Sequence, residues 1–397
     1  MVDKDLFLHD LSIVAILKCE GPYLKEWLDY HLLAGVDHFY LYDNDSPDNQ
    51  AEVVKPYVEA GLIDYFPFPG KAMQIPAYND AVKRFKFQSR YMGILDGDEF
   101  ICPKFNKIDL HPIVGGGIIG LVDEILSHDP NAAGLVINWQ CFGSNGHEKA
   151  DYSRGVLERF TRRAPYDLVG NLHVKTIANP RVIINIINPH YAKYFEGKYA
   201  LNSNGNKQAV VLEHSISYAF NKPVAYDKIV INHYLTKSRE EYRVKRERGR
   251  ADAKDVGSSY TDQQFKKIDH NDEFDDGILF YRDARAEIYQ PPDKSHTDER
   301  LLSALERNLS PTLKIDTPLN FYAGKMETFL TCRAVANYLK TKLTDDTQVK
   351  LFEEASLKAI LKALENSPSV ADKELFDREL PELLKLPYPV VEELRKV

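Results

Sequence analysis

Residues 91–101 read Tyr-Met-Gly-Ile-Leu-Asp-Gly-Asp-Glu-Phe-Ile, a short apolar run followed by three acidic side chains around one glycine. The apolar run has the length and composition of a buried strand. Asp96, Asp98 and Glu99 would repel one another at the end of that strand, so cations must lie nearby to keep them ionised. Hard oxygen ligands beside a flexible glycine suit Mg²⁺ or Mn²⁺, with ligand phosphates completing the shell. An isolated Asp-x-Asp is equally compatible with a solvated acidic turn, and the rest of the chain has to decide.

Alternating strands and helices precede this stretch. Leu11–Leu17 is a nearly continuous apolar run, typical of a strand covered on both faces, and Tyr23–Ala34 shows helical spacing of its apolar residues. The next segments read in turn as strand, helix, strand and helix: His38–Tyr42, Asn49–Ala60, Leu62–Phe66 and Ile75–Phe87. This alternation predicts an α/β fold with a Rossmann-like, mostly parallel central sheet flanked by helices.

Polar clusters follow three of the predicted strands at their carboxyl ends. Lys18–Glu20 follows the first strand, Asp43–Asp48 the second and Asp96–Glu99 the fourth. Ligands of such sheets bind outside the carboxyl ends of the strands, so we expect these clusters to meet at one site. The chain has no G-x-G-x-x-G after its first strand and no Walker lysine loop. The sequence therefore lacks the main motif that would indicate a dinucleotide site or a P-loop ATP site.

Bulk properties restrict the partners and the compartment. The 397 residues carry a net charge of −8, which argues against a general nucleic-acid binder. The four cysteines are widely spaced and fit reduced thiols of a cytosolic protein. The N-terminus lacks the pattern of a signal peptide, and no run reaches the ~18 apolar residues of a membrane span. We expect a cytoplasmic protein, with peripheral association at the inner face of the cell membrane left open.

A turn with aromatic neighbours follows the strand predicted to end at Trp139. Phe142 comes just before a backbone-permissive turn that runs from Gly143 to His147. A flat apolar surface beside a polar turn is what a sugar ring needs, and these residues are predicted to bind the sugar or the acceptor. Core packing would explain Trp139 equally well.

A second cluster follows the strand predicted to end at His233. Ser238 is an N-cap that begins a capping box, and a helix N-terminus beside Lys237 suits phosphate oxygens. His233 alone would more often be a satisfied core histidine, but in a chain with an Asp-x-Asp we interpret it as a metal ligand. In the basic run that follows, Arg246 and Arg250 are assigned to a solvated helix face.

The character of the chain changes after Gln290. Residues 1–290 are assigned to the α/β domain and residues 291–397 to an all-α C-terminal region. Four segments in that region are predicted as helices: Glu299–Leu309, Met326–Leu343, Val349–Leu364 and Lys373–Lys385. We expect their amphipathic faces to pack on one another or on a partner, which leaves a homo-oligomer formed through these helices open.

Together these motifs resemble a glycosyltransferase with the GT-A fold, of the family 92 type and its bacterial family-2-like relatives. The resemblance runs from about Ser12 to Asp252 and is carried by several segments: Lys18-Cys19-Glu20, residues 23–31, 42–48, 95–100, Trp139 with 142–147, and 232–242. Cys19 stands where the family commonly has asparagine. This difference affects the hydrogen bond that the end of the first strand is expected to make to the nucleotide.

The resemblance implies a metal-dependent hexosyltransferase that uses Mn²⁺ or Mg²⁺ and a nucleotide-sugar donor, a UDP-hexose with galactose as a guess. It implies inverting transfer to a hydroxyl of a saccharide or lipid-linked glycan in bacterial surface polysaccharide synthesis. It assigns nucleotide contacts to Lys18, Glu20, Asp43 and Asp96, metal ligation to Asp96, Asp98 and His233, and diphosphate contacts to Lys237 and Ser238.

Inverting transfer needs a carboxylate base near the acceptor hydroxyl. Glu148 and Asp151, just past the turn, are the candidates, with Glu158 behind them, and each is also compatible with an ordinary surface acid. One alternative function is that of a nucleotidyltransferase or phosphohydrolase that uses the same acidic residues. The lack of a basic Gly-rich triphosphate loop argues against this alternative. The other is a catalytically inactive glycan-binding scaffold, against which the intact acid and histidine set argues.

Overall fold

The structure is a computed structural model that describes residues 2–104, 111–209, 211–212, 215–216, 218–248, 260–291, 294–309 and 325–340. The strands are β1 His9–Leu17, β2 His38–Asp43, β3 Ile63–Pro67, β4 Ser89–Ile94, β5 Glu99–Pro103, β6 Ala132–Cys141, β7 Arg162–Arg163, β8 Val174–Ala178, β9 Ile183–Asn188, β10 Tyr191–Tyr194, β11 Tyr199–Asn202, β12 Val211–Leu212, β13 Ser215–Ile216, β14 Ile229–His233 and β15 Glu273–Phe274. The α-helices are α1 Gly21–Leu33, α2 Gln50–Glu59, α3 Gln74–Phe85, α4 His111–Leu126, α5 Val156–Arg159, α6 Arg239–Glu247, α7 Asp262–Ile268, α8 Gly277–Ala286, α9 Thr297–Leu309 and α10 Lys325–Lys340.

A nine-stranded sheet forms the centre of the molecule. Its order is β3-β2-β1-β4-β8-β6-β14-β5, with β11 paired to β6. The first four strands in this order are parallel, as the strand–helix alternation predicts. Beyond β4 the sheet is mixed, because β8 runs antiparallel to both of its neighbours and β5 runs antiparallel to β14. The predicted α/β class with flanking helices is confirmed.

Helices cover both faces of this sheet. Along β1, alternate side chains enter different apolar clusters, so that Ile13 lies in one and Val14 in the other. Trp27 of α1 packs in the first cluster and Tyr78 of α3 in the second. All four side chains are buried, which explains why β1 is apolar throughout rather than alternating.

The chain turns back directly after the Asp-x-Asp, and the sequence pattern did not predict this. Glu99 begins β5, whose apolar residues are buried and pair antiparallel with β14. The register sets Glu99 opposite His233, and on its other side His233 lies beside Cys141 of β6. The acidic turn is therefore held beside His233 by main-chain pairing.

The described part of the C-terminal region packs on the rest of the chain. Buried side chains of α9 and α10 form an apolar cluster with Leu6 near the N-terminus. Glu327 of α10 accepts a hydrogen bond from Nε of Arg181 at 2.6 Å. The boundary at residue 291 stays a prediction, and the helices predicted over Val349–Leu364 and Lys373–Lys385 lie outside the described residues. Across the described ranges, no helix is both long and apolar enough to cross a bilayer.

Candidate functional site

Asp98 and His233 come together at the carboxyl edge of the sheet. Oδ2 of Asp98 lies 3.5 Å from Nε2 of His233 and forms an ion pair with the ammonium of Lys245 on α6. Burial alone would raise the pKa of Asp98, but Lys245 and His233 outweigh it and hold the pKa well below its usual range. Burial lowers the pKa of His233, which favours the neutral imidazole that ligates metals.

Asp96 lies in different surroundings. Its Oδ1 accepts hydrogen bonds from Nε2 of Gln74 at 2.9 Å and from the hydroxyl of Tyr78 at 3.0 Å. Its Oδ2 lies 2.8 Å from Nζ of Lys175, a lysine that is only 1% exposed. The carboxylate is thus held by two hydrogen bonds and an ion pair.

Lys175 also bridges to Glu99, whose Oε2 lies 3.3 Å from the ammonium. Glu99 is completely buried, and this burial raises its pKa to about 8 against the opposing pull of Lys175. Burial would also raise the pKa of Asp96, yet Lys175 lowers it below its ordinary value. The negative charge therefore resides on Asp96, while Glu99 holds a proton near neutral pH.

The described residues fit a divalent metal only as a site with two protein ligands. None of their His, Cys, Asp and Glu side chains form a group of three arranged to hold an ion. Asp98 and neutral His233 supply one oxygen and one nitrogen donor side by side, a set that Mn²⁺ accepts and that ligand phosphates and water would complete. Asp96 is paired with Lys175, and its expected ligation of the metal stays a prediction.

A small open pocket adjoins this pair. Its lining combines three cations, two carboxylates and several apolar or neutral side chains: Lys237, Lys245, Arg248, Glu20, Glu241, Cys19, Tyr23, Leu235, Thr236 and Val244. Arg248 forms an ion pair with Glu20 and donates to the carbonyl oxygen of Cys19 at 2.9 Å. Nζ of Lys237 lies 4.2 Å from the centre of the Tyr23 ring. The pocket thus joins Glu20 and Lys237, as the sequence predicts.

Two further nucleotide candidates flank the pocket. Lys18 contributes its carbonyl oxygen, which accepts a hydrogen bond from Arg248. Asp43 ends β2, and its Oδ1 accepts hydrogen bonds from the main-chain N–H of Ser46 at 2.9 Å and from Nε2 of Gln50 at 3.3 Å. Both residues lie at the expected sheet edge, and their contacts to a nucleotide stay predictions.

Ser238 caps α6. Its Oγ accepts the N–H of Glu241 at 3.2 Å, and Oε2 of Glu241 accepts the N–H of Ser238 at 2.9 Å, so the predicted capping box is confirmed. Ser238 is fully buried. Its hydroxyl oxygen accepts the capping hydrogen bond, and the expected contact of Ser238 with a phosphate stays a prediction.

The predicted sugar-binding aromatic residues separate in the structure. Trp139 is partly exposed; its ring stacks on His173 with the centres 4.7 Å apart and lies 4.1 Å from the ring of His233. Phe142 is buried in the core, with its ring 4.8 Å from that of Tyr234. Trp139 therefore remains a sugar-platform candidate beside Asp98 and His233, whereas the Phe142 ring is closed to a sugar.

The turn after Phe142 packs against a neighbouring loop. A Cβ atom at Gly143 would lie 2.2 Å from the carbonyl oxygen of His270, so this position needs glycine for close packing. Oγ of Ser144 donates to Asp269 at 2.9 Å. His147 contacts Phe160 edge-on, with the ring centres 5.6 Å apart. These contacts explain Gly143 and His147 structurally and leave their sugar contacts as predictions.

The predicted carboxylate bases do not line the pocket. Oε2 of Glu148 lies 3.3 Å from Nε of Arg239, and its side chain is 64% exposed. Asp151 accepts a hydrogen bond from the Ser153 hydroxyl at 2.6 Å, which lowers the pKa of Asp151. Glu158 lies 3.4 Å from Arg282. The lowered pKa weakens Asp151 as a base.

The chain matches the model of a known protein family. The family model of glycosyltransferase family 92 matches residues 22–248, which is more than half of the chain. The chain belongs to glycosyltransferase family 92. The family match runs from α1 past the end of α6; it includes Asp98, His233 and the pocket-lining residues other than Cys19 and Glu20.

The curated relatives of the family are plant proteins. One from Ricinus communis is 26% identical over 208 residues, covering 52% of this chain and 35% of the relative. One from Arabidopsis thaliana is 30% identical over 93 residues, covering 23% of this chain and 16% of the relative. The chain thus spans about a third or less of the length of these relatives.

The solved structures with detectable similarity are distant. S. aureus TarS 1-349 in complex with UDP is 12% identical with a TM-score of 0.29, covering 92% of this chain and 91% of that one. HddC from Yersinia pseudotuberculosis is 9% identical with a TM-score of 0.26, covering 47% of this chain and 84% of that one.

Three cations of this family 92 site were not predicted from the sequence. Lys175 lies within a short apolar strand, where a lysine is unusual enough to signal a buried partner. Lys245 and Arg248 belong to the basic run after Ser238. They lie four and seven residues after Glu241, a spacing that puts all three on one helix face toward the pocket.

Proposed function

We propose that this family 92 chain transfers a hexose from a UDP-sugar donor to a hydroxyl of a saccharide or lipid-linked glycan, with inversion. The observation that carries the proposal is the approach of Asp98 to His233 beside a pocket lined by three cations. A nucleoside diphosphate is the anionic ligand that such a pocket suits, because its oxygens accept charge-assisted hydrogen bonds from ammonium and guanidinium groups.

Lys237 is placed to hold the diphosphate. It is 4% exposed, and no carboxylate of the described residues lies within 4 Å of its ammonium. Burial lowers the pKa of Lys237, while the nearby charges of Glu20 and Asp98 raise it. A phosphate group would give this buried cation a direct partner and would stabilise the charge that develops on the leaving diphosphate.

Asp98 and His233 are proposed to hold Mn²⁺ or Mg²⁺. When bound, the metal would help to neutralise the leaving diphosphate. Glu20 and Asp43 are proposed to contact the uridine, Trp139 to support the sugar, and Glu148 or Asp151 to accept the proton of the attacking hydroxyl. Galactose as the sugar and a bacterial surface polysaccharide as the product remain proposals from the resemblance, since the matching curated relatives are plant proteins.

A donor screen tests the function. The full chain is incubated with Mn²⁺ and each of several UDP-hexoses, with and without simple saccharide acceptors, and released UDP is measured. We expect one donor to release UDP and the acceptor to gain its sugar. Release of hexose 1-phosphate in place of UDP would point instead to a nucleotidyltransferase or phosphohydrolase that cleaves the diphosphate bridge. No UDP binding by calorimetry in the presence of Mn²⁺ would overturn the proposal.

A further inference from the structure

Helix α6 brings two cations onto the carboxylates assigned to the donor site. Lys245 forms an ion pair with Asp98, and Arg248 forms one with Glu20. Both cations line the same pocket as Lys237. The acidic groups expected to meet metal and uridine are therefore paired with side chains of α6 and of the residue that caps its C-terminus.

The placement of α6 is fixed by a buried ion pair. Arg159 donates two hydrogen bonds to the carboxylate of Glu241, each 2.9 Å long, and both side chains are 1% exposed. Lys245 follows Glu241 by one helical turn, so its stem starts from an anchored position. The pairing of Lys245 with Asp98 is thus set by the fold rather than by a chance approach of two surface side chains.

Lys245 and an incoming metal compete for the same oxygen. Lys245 contacts Oδ2 of Asp98, which is also the oxygen nearest to Nε2 of His233. A divalent cation at Asp98 would face the ammonium at close range, and like charges at such distances repel strongly. A diphosphate in the pocket offers Lys245 another anionic partner, because three cations line that pocket but only two carboxylates do.

We propose that Lys245 is a diphosphate-binding residue that pairs with Asp98 in the empty enzyme and moves to the donor's diphosphate when donor and metal bind. This rests on the proposed function. Lys245 then weakens metal binding at Asp98 as long as no diphosphate is present. Metal and nucleotide consequently bind with positive coupling, each raising the affinity for the other.

The test measures the binding of Mn²⁺ and of UDP to the full chain. Mn²⁺ binding is followed by electron paramagnetic resonance without nucleotide, and UDP binding by calorimetry at saturating Mn²⁺. For Lys245→Met we expect Mn²⁺ affinity without nucleotide to rise about tenfold and UDP affinity to fall about tenfold, the size of one charge-assisted contact. Lys245→Arg, which keeps the charge, should retain most of the UDP affinity.

The matched control is Arg243→Met on the same helix. The Arg243 side chain is 54% exposed and does not line the pocket, so both affinities should stay within about twofold of the wild type. The inference is overturned if Lys245→Met leaves Mn²⁺ affinity unchanged or lowers it, or if UDP affinity does not fall. Such a result leaves the proposed function standing as long as the wild type binds UDP and releases it from a donor.

Discussion

Nε2 of His233 lies 3.5 Å from Oδ2 of Asp98, although the two residues belong to different strand ends far apart in the chain. The antiparallel pairing of β5 with β14 produces this approach by setting Glu99 opposite His233. Any substitution that removes the charge of Asp98 while keeping its shape therefore tests the site without disturbing the sheet.

Asp98→Asn should lower kcat/KM for donor and acceptor by about 10²–10³-fold. The amide keeps the volume but removes the negative charge that neutral His233 cannot replace as a metal ligand, and loss of one electrostatic group at a reacting phosphate is typically of this size. Released UDP gives the rate. Asp167→Asn, an exposed acid, serves as the control and should keep wild-type activity. Wild-type rates for Asp98→Asn would remove Asp98 from the mechanism.

Glu148→Gln should lower kcat by about 10²-fold or more, whereas Asp151→Asn should lower it less than tenfold. The hydrogen bond from Ser153 holds the pKa of Asp151 below its usual value, which weakens Asp151 as a base. Steady-state transfer assays on both variants decide the assignment. If neither variant loses as much as tenfold, the base is another residue.

Lys175→Met should destabilise the fold by about 3–5 kcal/mol, because it leaves Asp96 and Glu99 without the buried cation between them. Urea denaturation followed by circular dichroism measures the free energy of unfolding. Lys193→Met, at an exposed position of β10, should change it by no more than about 0.5 kcal/mol. Equal stability of the two variants would contradict a buried role for Lys175.

Glu99→Gln should alter the pH dependence of stability. The folded-state pKa of Glu99, about 8, lies above its ordinary value of 4.5, so between these pH values the unfolded chain loses a proton that the folded chain keeps. This group's stabilising contribution is therefore complete below pH 4.5 and declines as pH rises toward 8. The free energy of unfolding is measured at pH 5 and at pH 8. From pH 5 to pH 8, that of Glu99→Gln should rise relative to that of the wild type by roughly 1–3 kcal/mol. A constant difference would show that Glu99 is ionised throughout.

The sequence by itself determined the elements whose signals are local. Apolar runs and helical spacing located the first four strands and their helices, because burial on one or both faces fixes those periodicities. The pattern around Ser238 determined the capping box, since all of its partners lie within one helical turn. The acids after β4 and the family 92 resemblance were likewise visible in short, contiguous motifs.

Only the tertiary structure decided which side chains those motifs meet. The β5–β14 pairing, the bridge from Lys175 to Asp96 and the contact of Lys245 with Asp98 all join residues distant in sequence. Such contacts depend on strand register and helix packing, which no local spacing specifies. The same reason explains why Phe142 and Ser238 matched a site motif while their side chains are buried in the core and in a helix cap.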